Sequence, residues 1–361
     1  MIPHDFSKAD LAVGLLAGIK RYARRCDRIK IMEVCGTHTM EIGRHGIRGL
    51  LPERVELVSG PGCPVCVTPG ALIDAAADTA IRPGVTVLVF GDMIRVPGNR
   101  TSLREAKSRG GSVEVVVSPL RAVSLARENP NRIHVFVAVG FETTVPAVAR
   151  SVILAEENGV DNLYFIACHR LVPPVLKELL NDLQTGLSAF LLPGHVSAII
   201  GVEPYGFVVN AGIPAAIAGF EPLDILGAIH SVSGMVAERR AGVENWYSRV
   251  VRPGGNPHAR RLMERVFVPV DAFWRGIGMI PGSGLAFCER YRRFDAVRKL
   301  GIEVAEERIR NTCRCGEVLK GRIRPSDCAL FAETCTPQSP QGPCMVSSEG
   351  SCAAYYKYEL R

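Results

Sequence analysis

Short apolar runs rich in β-branched residues, each bounded by turn residues and followed by an amphipathic stretch, recur through the first two thirds of the chain, and this alternation leaves few folds open. Strand–helix units of this kind lay parallel strands side by side with helices on both faces. Strands are expected over 29–34, 55–59, 85–90, 113–117, 133–139, 163–167, 189–192 and 206–209. Several are apolar without alternation, the pattern of strands covered on both faces. Helices are expected over 7–25, 69–81, 102–108, 119–128, 144–158, 173–183 and 222–238. Pro69 suits a first helical turn, and Thr144 suits the cap after Gly140-Phe141-Glu142-Thr143.

The 361 residues exceed what one core usually serves, since chains beyond roughly 250 to 300 residues tend to split. The expected fold class is α/β: two similar three-layer α/β lobes with mostly parallel sheets, plus a helical Cys-rich domain. The first lobe spans 31–128 and the second 129–220, joined near Asn129-Pro130-Asn131. Residues 1–30 and 221–361 make up the helical region, whose order depends on metal more than on a large apolar core.

The net charge of +7 is spread along the chain, and its densest run, Arg290 to Arg293, is interrupted by Tyr291. Nucleic acid is therefore not an expected partner, whereas docking to an acidic protein is compatible with the surface. Apolar runs such as 85–90 and 133–139 fall far short of the roughly 20 residues a membrane helix needs. The first residues show no secretory pattern, so a cytoplasmic location is expected.

Twelve cysteines in such a chain call for a chemical explanation, because reducing conditions disfavour structural disulfides. Cys35 follows the 29–34 strand directly, in Cys35-Gly36-Thr37-His38-Thr39. The next strand runs into Gly60-Pro61-Gly62-Cys63-Pro64-Val65-Cys66. Ligands gather beyond the carboxyl ends of parallel strands, where helix amino termini offer free N–H groups, and such a place is expected to lower a thiol pKa. Three sulfurs there suit iron, zinc or copper. Alone, Cys35 reads as a small buried apolar residue; Cys63 and Cys66 form a metal- or redox-type pair, with thioredoxin-like exchange as the rival to metal binding.

Glu142, in Gly140-Phe141-Glu142-Thr143-Thr144, and His195, in Pro193-Gly194-His195-Val196-Ser197, stand at two more strand ends. Each has a plain alternative: a carboxylate complementing a helix dipole and a structural imidazole. Cys168 and His169 are left out, because adjacent strand residues point to opposite faces.

Cys313, Cys315, Cys328, Cys335, Cys344 and Cys352 crowd the tail with wide, irregular spacing and no His, which excludes hard-ion sites. The pattern suits a [4Fe-4S] cluster better than a zinc knuckle. Cys328, Cys335, Cys344 and Cys352 are the preferred ligands, leaving Cys313 and Cys315 as a spare dithiol or alternates. The tail site is expected to be separate from the first.

Taken together, the stretches around Cys35, Cys63/Cys66, Glu142 and His195, with the tail Cys344-Met345-Val346-Ser347-Ser348-Glu349-Gly350-Ser351-Cys352, resemble the HypD family of hydrogenase maturation proteins across nearly the whole chain. The resemblance implies a scaffold for the Fe(CN)2(CO) unit of nickel–iron hydrogenases. It implies an iron ion shared with a HypC-type chaperone and held by thiols including Cys35, Cys63 and Cys66, with cyanide delivered by HypE working with HypF. The hydrogenase large subunit is served indirectly. It also implies a [4Fe-4S] cluster in the last domain, and it puts His38, Glu142 and His195 at the assembly cleft. Rival readings are a [4Fe-4S]-dependent thiol–disulfide oxidoreductase and a zinc-stabilised interaction module.

Overall fold

The computed structural model describes residues 8–307 and 313–360. Ser7, the expected start of the first helix, lies outside them, as do the other residues of the amino-terminal and tail segments over 1–6, 308–312 and 361. In chain order the strands are β1 (Ile29–Glu33), β2 (Val55–Ser59), β3 (Val85–Val89), β4 (Val113–Val115), β5 (Ile133–Gly140), β6 (Leu163–His169), β7 (Ala189–Pro193), β8 (Ala215–Ala218), β9 (Val243–Asn245), β10 (Phe267–Trp274) and β11 (Gly278–Phe287).

Two parallel sheets carry the fold, one ordered β2-β1-β7-β8-β9 and the other β4-β3-β5-β6. The class is the expected α/β, with helices packed on the sheet faces. All residues of β1, β3, β7 and β8 are buried, including Lys30 and Glu33 of β1 and Thr86 of β3 among otherwise mainly apolar residues. The helix Lys8–Ala23 lies against Pro222–Ala237, closing the outer face of the first sheet over Ile29, Ile31 and Leu191.

The chain does not build its two sheets one after the other. β1 and β2 begin the first sheet, the chain then lays down all of the second, and only at β7 does it return, setting Ile31 opposite Ala189. Periodicity marks a segment as a strand but does not name its neighbour, so this interleaving leaves no local trace.

Two expectations fail. The run at 206–209 is helix, Gly206–Asn210, with Val208 buried; a short apolar run has no period to distinguish the two states. The true strand is β8, whose alanines have weak strand propensity but fill the narrow centre between β7 and β9.

The region after 221 is not simply helical either. β10 and β11 form an antiparallel hairpin with a register shift between Val270 and Ala272. Its residues Pro269, Gly276, Gly278, Pro281, Gly282 and Gly284 read as breakers, yet they fall at the bulge and turn, where such residues are tolerated. The hairpin positions both functional loops. Trp274 is fully buried, donates from Nε1 to Ser283 Oγ at 2.8 Å and stacks on Phe141 at 5.8 Å, beside Glu142. Arg275 donates its backbone N–H to the Val67 carbonyl at 2.9 Å, gripping the Cys63/Cys66 loop. Trp274→Ala should lower stability by about 3 to 5 kcal/mol, the range for emptying a large aromatic site. Urea titration of parent and variant measures it.

Candidate metal-assembly site

Adjacent parallel strands β1 and β2 bring two loops together at their carboxyl ends. Gly36 donates its N–H to the Gly62 carbonyl at 3.0 Å. A Cβ on Gly62 would lie 2.4 Å from the Cys35 backbone nitrogen, so only glycine allows this approach. Cys35 is the N-cap residue of the helix Gly36–Arg44, and Cys63 takes the same position for Pro64–Val67, where its Sγ accepts the Cys66 N–H at 3.3 Å. The sulfurs at 35, 63 and 66 thus belong to one loop cluster, on the same end of one sheet.

Their protonation departs from the expectation. Burial pushes the Cys35 thiol up to about 11, against hydrogen bonds from the His38 and Thr37 backbone that favour the thiolate. Burial also raises Cys66 well above the ordinary thiol range. Desolvation outweighs the helix termini, so these are protonated thiols at neutral pH unless a cation enters.

The tail packs directly on the first loop cluster. The helix Pro64–Val67 packs against Pro343–Met345, and the thiols of Cys66 and Cys344, of Cys344 and Cys315, and of Cys315 and Cys313 shift one another's protonation, a string from the first loop cluster into the last segment. Cys352 lies within electrostatic reach of Cys315, Cys313, Cys335 and Cys328, so the preferred four and the spare pair intermingle. The cause is the seating of the tail on the Cys35 loop. Thr37 Oγ1 donates to Glu349 Oε1 at 2.9 Å, Gly36 packs against the Glu349 backbone, and Ser347 Oγ donates to Asp92 Oδ2 at 3.1 Å. All twelve cysteines are free thiols. Among the described residues, no three His, Cys, Asp or Glu side chains stand ready-made to hold a metal ion.

His38 is fully buried, and its Nε2–H faces the carbonyls of Ala218 and Gly219 at 3.2 and 3.0 Å, while Nδ1 has no partner. Burial lowers its pKa to about 4, so the ring is neutral. It lies against one side of Phe220, at 5.0 Å, and His195 stacks on the ring at 3.9 Å. His195 is itself exposed.

Glu142 follows the end of β5, in the other sheet, by two residues. It is 2% exposed; Oε1 accepts the Val172 N–H at 2.9 Å and Oε2 accepts nothing. Burial raises its pKa to about 7. Thr144 stands at the cap of the following helix but donates its hydroxyl to the Phe141 carbonyl instead of capping. Between the sheets lies Tyr205, wholly buried, whose phenol feels both Glu142 and Cys35. Its hydroxyl is 3.1 Å from Ser197 Oγ, which itself donates to the Pro193 carbonyl at 2.8 Å. Because Ser197 has spent its hydrogen, Tyr205 is the donor to it.

Tyr205, Phe220 and Glu349 are the residues sequence reasoning missed; Glu349 stood inside the quoted tail motif, and the other two carry no local signal. Cys168 and His169 are both buried outside the cluster, His169 with no partner on either nitrogen.

The model of the family described as "HypD: Hydrogenase formation hypA family" matches residues 10–359. The chain belongs to the HypD family. Among curated relatives, hydrogenase maturation factor HypD of Rhodobacter capsulatus is 42% identical over 365 residues, covering 98% of this chain and 97% of that one. The factor of the same name from Escherichia coli K12 is 45% identical over 335 residues, 91% of this chain and 89% of its own. HypD of Azotobacter vinelandii is 42% identical over 362 residues, with 98% and 96% covered. As a HypD-family chain it has no helix, among the described residues, long and apolar enough to cross a membrane.

Proposed function

We propose that this protein is the scaffold on which the Fe(CN)2(CO) unit of nickel–iron hydrogenases is assembled, in complex with a HypC-type chaperone and with cyanide delivered by HypE and HypF. The observation that carries the reading is the contact of the Cys35 loop with the Cys63/Cys66 loop, with the tail segment seated on the first and packed against the second. Iron is the cargo. Sulfur donors suit a low-spin Fe(II) that accepts strong-field diatomic ligands. Cys35, Cys63 and Cys66 hold it, and binding releases the protons that burial now retains on Cys35 and Cys66. His38, fixed as the Nε2–H tautomer, and His195 flank Phe220 at the rim, while Glu142 holds a proton near neutrality.

The tail thiols fit a resident [4Fe-4S] cluster by donor chemistry: they are soft sulfurs, and Cys352 lies within electrostatic reach of Cys315, Cys313, Cys335 and Cys328. Cys328, Cys335, Cys344 and Cys352 would hold it, with Cys313 and Cys315 as alternates, and it would supply single electrons. The string from Cys63 to Cys313 also favours a second reading, a thiol–disulfide oxidoreductase. Oxidising a dithiol to a disulfide there releases two electrons and two protons for a disulfide substrate.

Cys35→Ala, Cys63→Ala and Cys66→Ala should each abolish hydrogenase maturation in cells lacking their own copy. Cys35→Ala should leave the iron and acid-labile sulfide of the anaerobically purified protein unchanged, whereas Cys66→Ala, which removes a partner of Cys344, should lower both. Infrared bands of metal-bound cyanide and CO should appear in the parent complex with the chaperone and vanish on Cys35→Ala. A protein without such bands that turns over disulfides would be the oxidoreductase instead.

A further inference from the structure

On the far side of the Cys63/Cys66 loop, the hairpin and the end of β6 enclose a hollow of about 560 Å3 that none of the assembly chemistry uses. Leu72, Val270, Phe273, Leu285 and Val304 give it apolar walls, and Arg170 is set into them. Arg170 is only 5% exposed. Its Nε and Nη2 donate to the Phe273 carbonyl at 3.2 and 2.8 Å, and Nη1 to the His169 carbonyl at 2.9 Å. A guanidinium carries five N–H donors, so one hydrogen on each Nη is left over. Among the described residues no carboxylate pairs with it; the group that favours its charge is the thiol of Cys168. A buried cation without a counter-ion is strongly unfavourable, and a guanidinium fork matches a carboxylate.

We propose that this hollow binds a monocarboxylate carried on an apolar body, the carboxylate meeting Arg170 and the body lying on Leu72, Val270, Phe273 and Val304. The mouth selects for a single negative charge. Asp271, which accepts the Gly282 N–H at 2.9 Å, Glu307, which accepts those of Gly70 and Ala71 at 2.9 and 2.8 Å, and Glu306 put three carboxylates on the wall, which repel phosphates and dicarboxylates more strongly than a single negative charge. Exposed apolar surface continues outward at Met279, 62% exposed, and Val304, 41% exposed, so the ligand's body extends past the rim. Two sources offer this chemistry: a free medium-chain acid and the carboxyl terminus of a polypeptide that ends in an apolar residue.

Calorimetric titration of the full chain with octanoate, N-acetyl-leucine, their neutral amides and inorganic phosphate distinguishes them. One of the two acids should bind with one-to-one stoichiometry, its amide at least ten-fold more weakly, and phosphate not at all. Tighter octanoate assigns the hollow to a free acid and tighter N-acetyl-leucine to a chain terminus. Arg170→Gln should remove binding, but Arg170 also ties Phe273 to His169, so that variant endangers the fold. Met279→Asp, at the exposed rim, keeps the fold and should weaken binding at least ten-fold. The proposal fails if neither acid binds, if an amide binds as tightly as its acid, or if Met279→Asp leaves the affinity unchanged.

Discussion

Gly62→Ala should abolish hydrogenase maturation and lower stability, although it adds a single methyl group. That methyl would lie 2.4, 2.5 and 2.6 Å from the N, Cα and C atoms of Cys35, none of which can swing aside as a side chain would. The two loops must part, which removes the Gly36–Gly62 hydrogen bond and separates Cys35 from Cys63 and Cys66. Overpacking of this kind costs about 1 to 3 kcal/mol, and the loss of function should be complete because the loops carrying Cys35 and Cys63/Cys66 no longer meet. Gly14→Ala is the control: nothing lies within 4 Å of its added methyl in the helix Lys8–Ala23, so it should keep function and gain roughly 0.5 to 1 kcal/mol. Complementation assays and urea midpoints for both variants decide the matter. Normal maturation by the Gly62 variant would remove the case for a centre built on loop contact.

Glu142→Gln should raise stability at pH 8 and leave it nearly unchanged near pH 4. The carboxyl titrates near 4.5 when unfolded and at about 7 when folded, because burial disfavours its charged form. Its contribution is therefore complete below about 4.5 and is lost as pH climbs through 7, a change of roughly 3 kcal/mol. Glutamine keeps an oxygen for the Val172 N–H and never ionises, so the difference between the two profiles should carry this slope while the contributions of other buried groups such as Glu33 and His38 cancel. Denaturant midpoints measured from pH 4 to 8 test this; parallel profiles for parent and variant would mean that Glu142 is not the titrating group. A fall in maturation at neutral pH, with the fold intact, would further show that its proton is used.

The strands that frame the cluster, β1, β2 and β5, were legible because each is an apolar run ending in glycine or cysteine at a turn. Cys35, Cys63 and Cys66 could be placed together for the same reason, since adjacent parallel strands present their carboxyl ends side by side. What could not be read is everything decided between distant segments. The return of the chain to β7, the hairpin that props Trp274 under Phe141, and Phe220 between His38 and His195 depend on packing partners with no fixed spacing. The thiol pKa values were misjudged because helix termini are visible in sequence and depth of burial is not. The supposed gap between the two cysteine groups closed once the segment around Glu349 was seen to lie on Gly36.

That hydrogen bond from Thr37 to Glu349 spans 312 residues. A ribosome making this polypeptide releases the Cys35 segment early and the segment that covers it almost last. Until then β1 also lacks its neighbour β7, so a half-made chain has neither the strand beside Cys35 nor the segment that lies over it. Under the proposed function, iron capture should therefore begin only once both are in place.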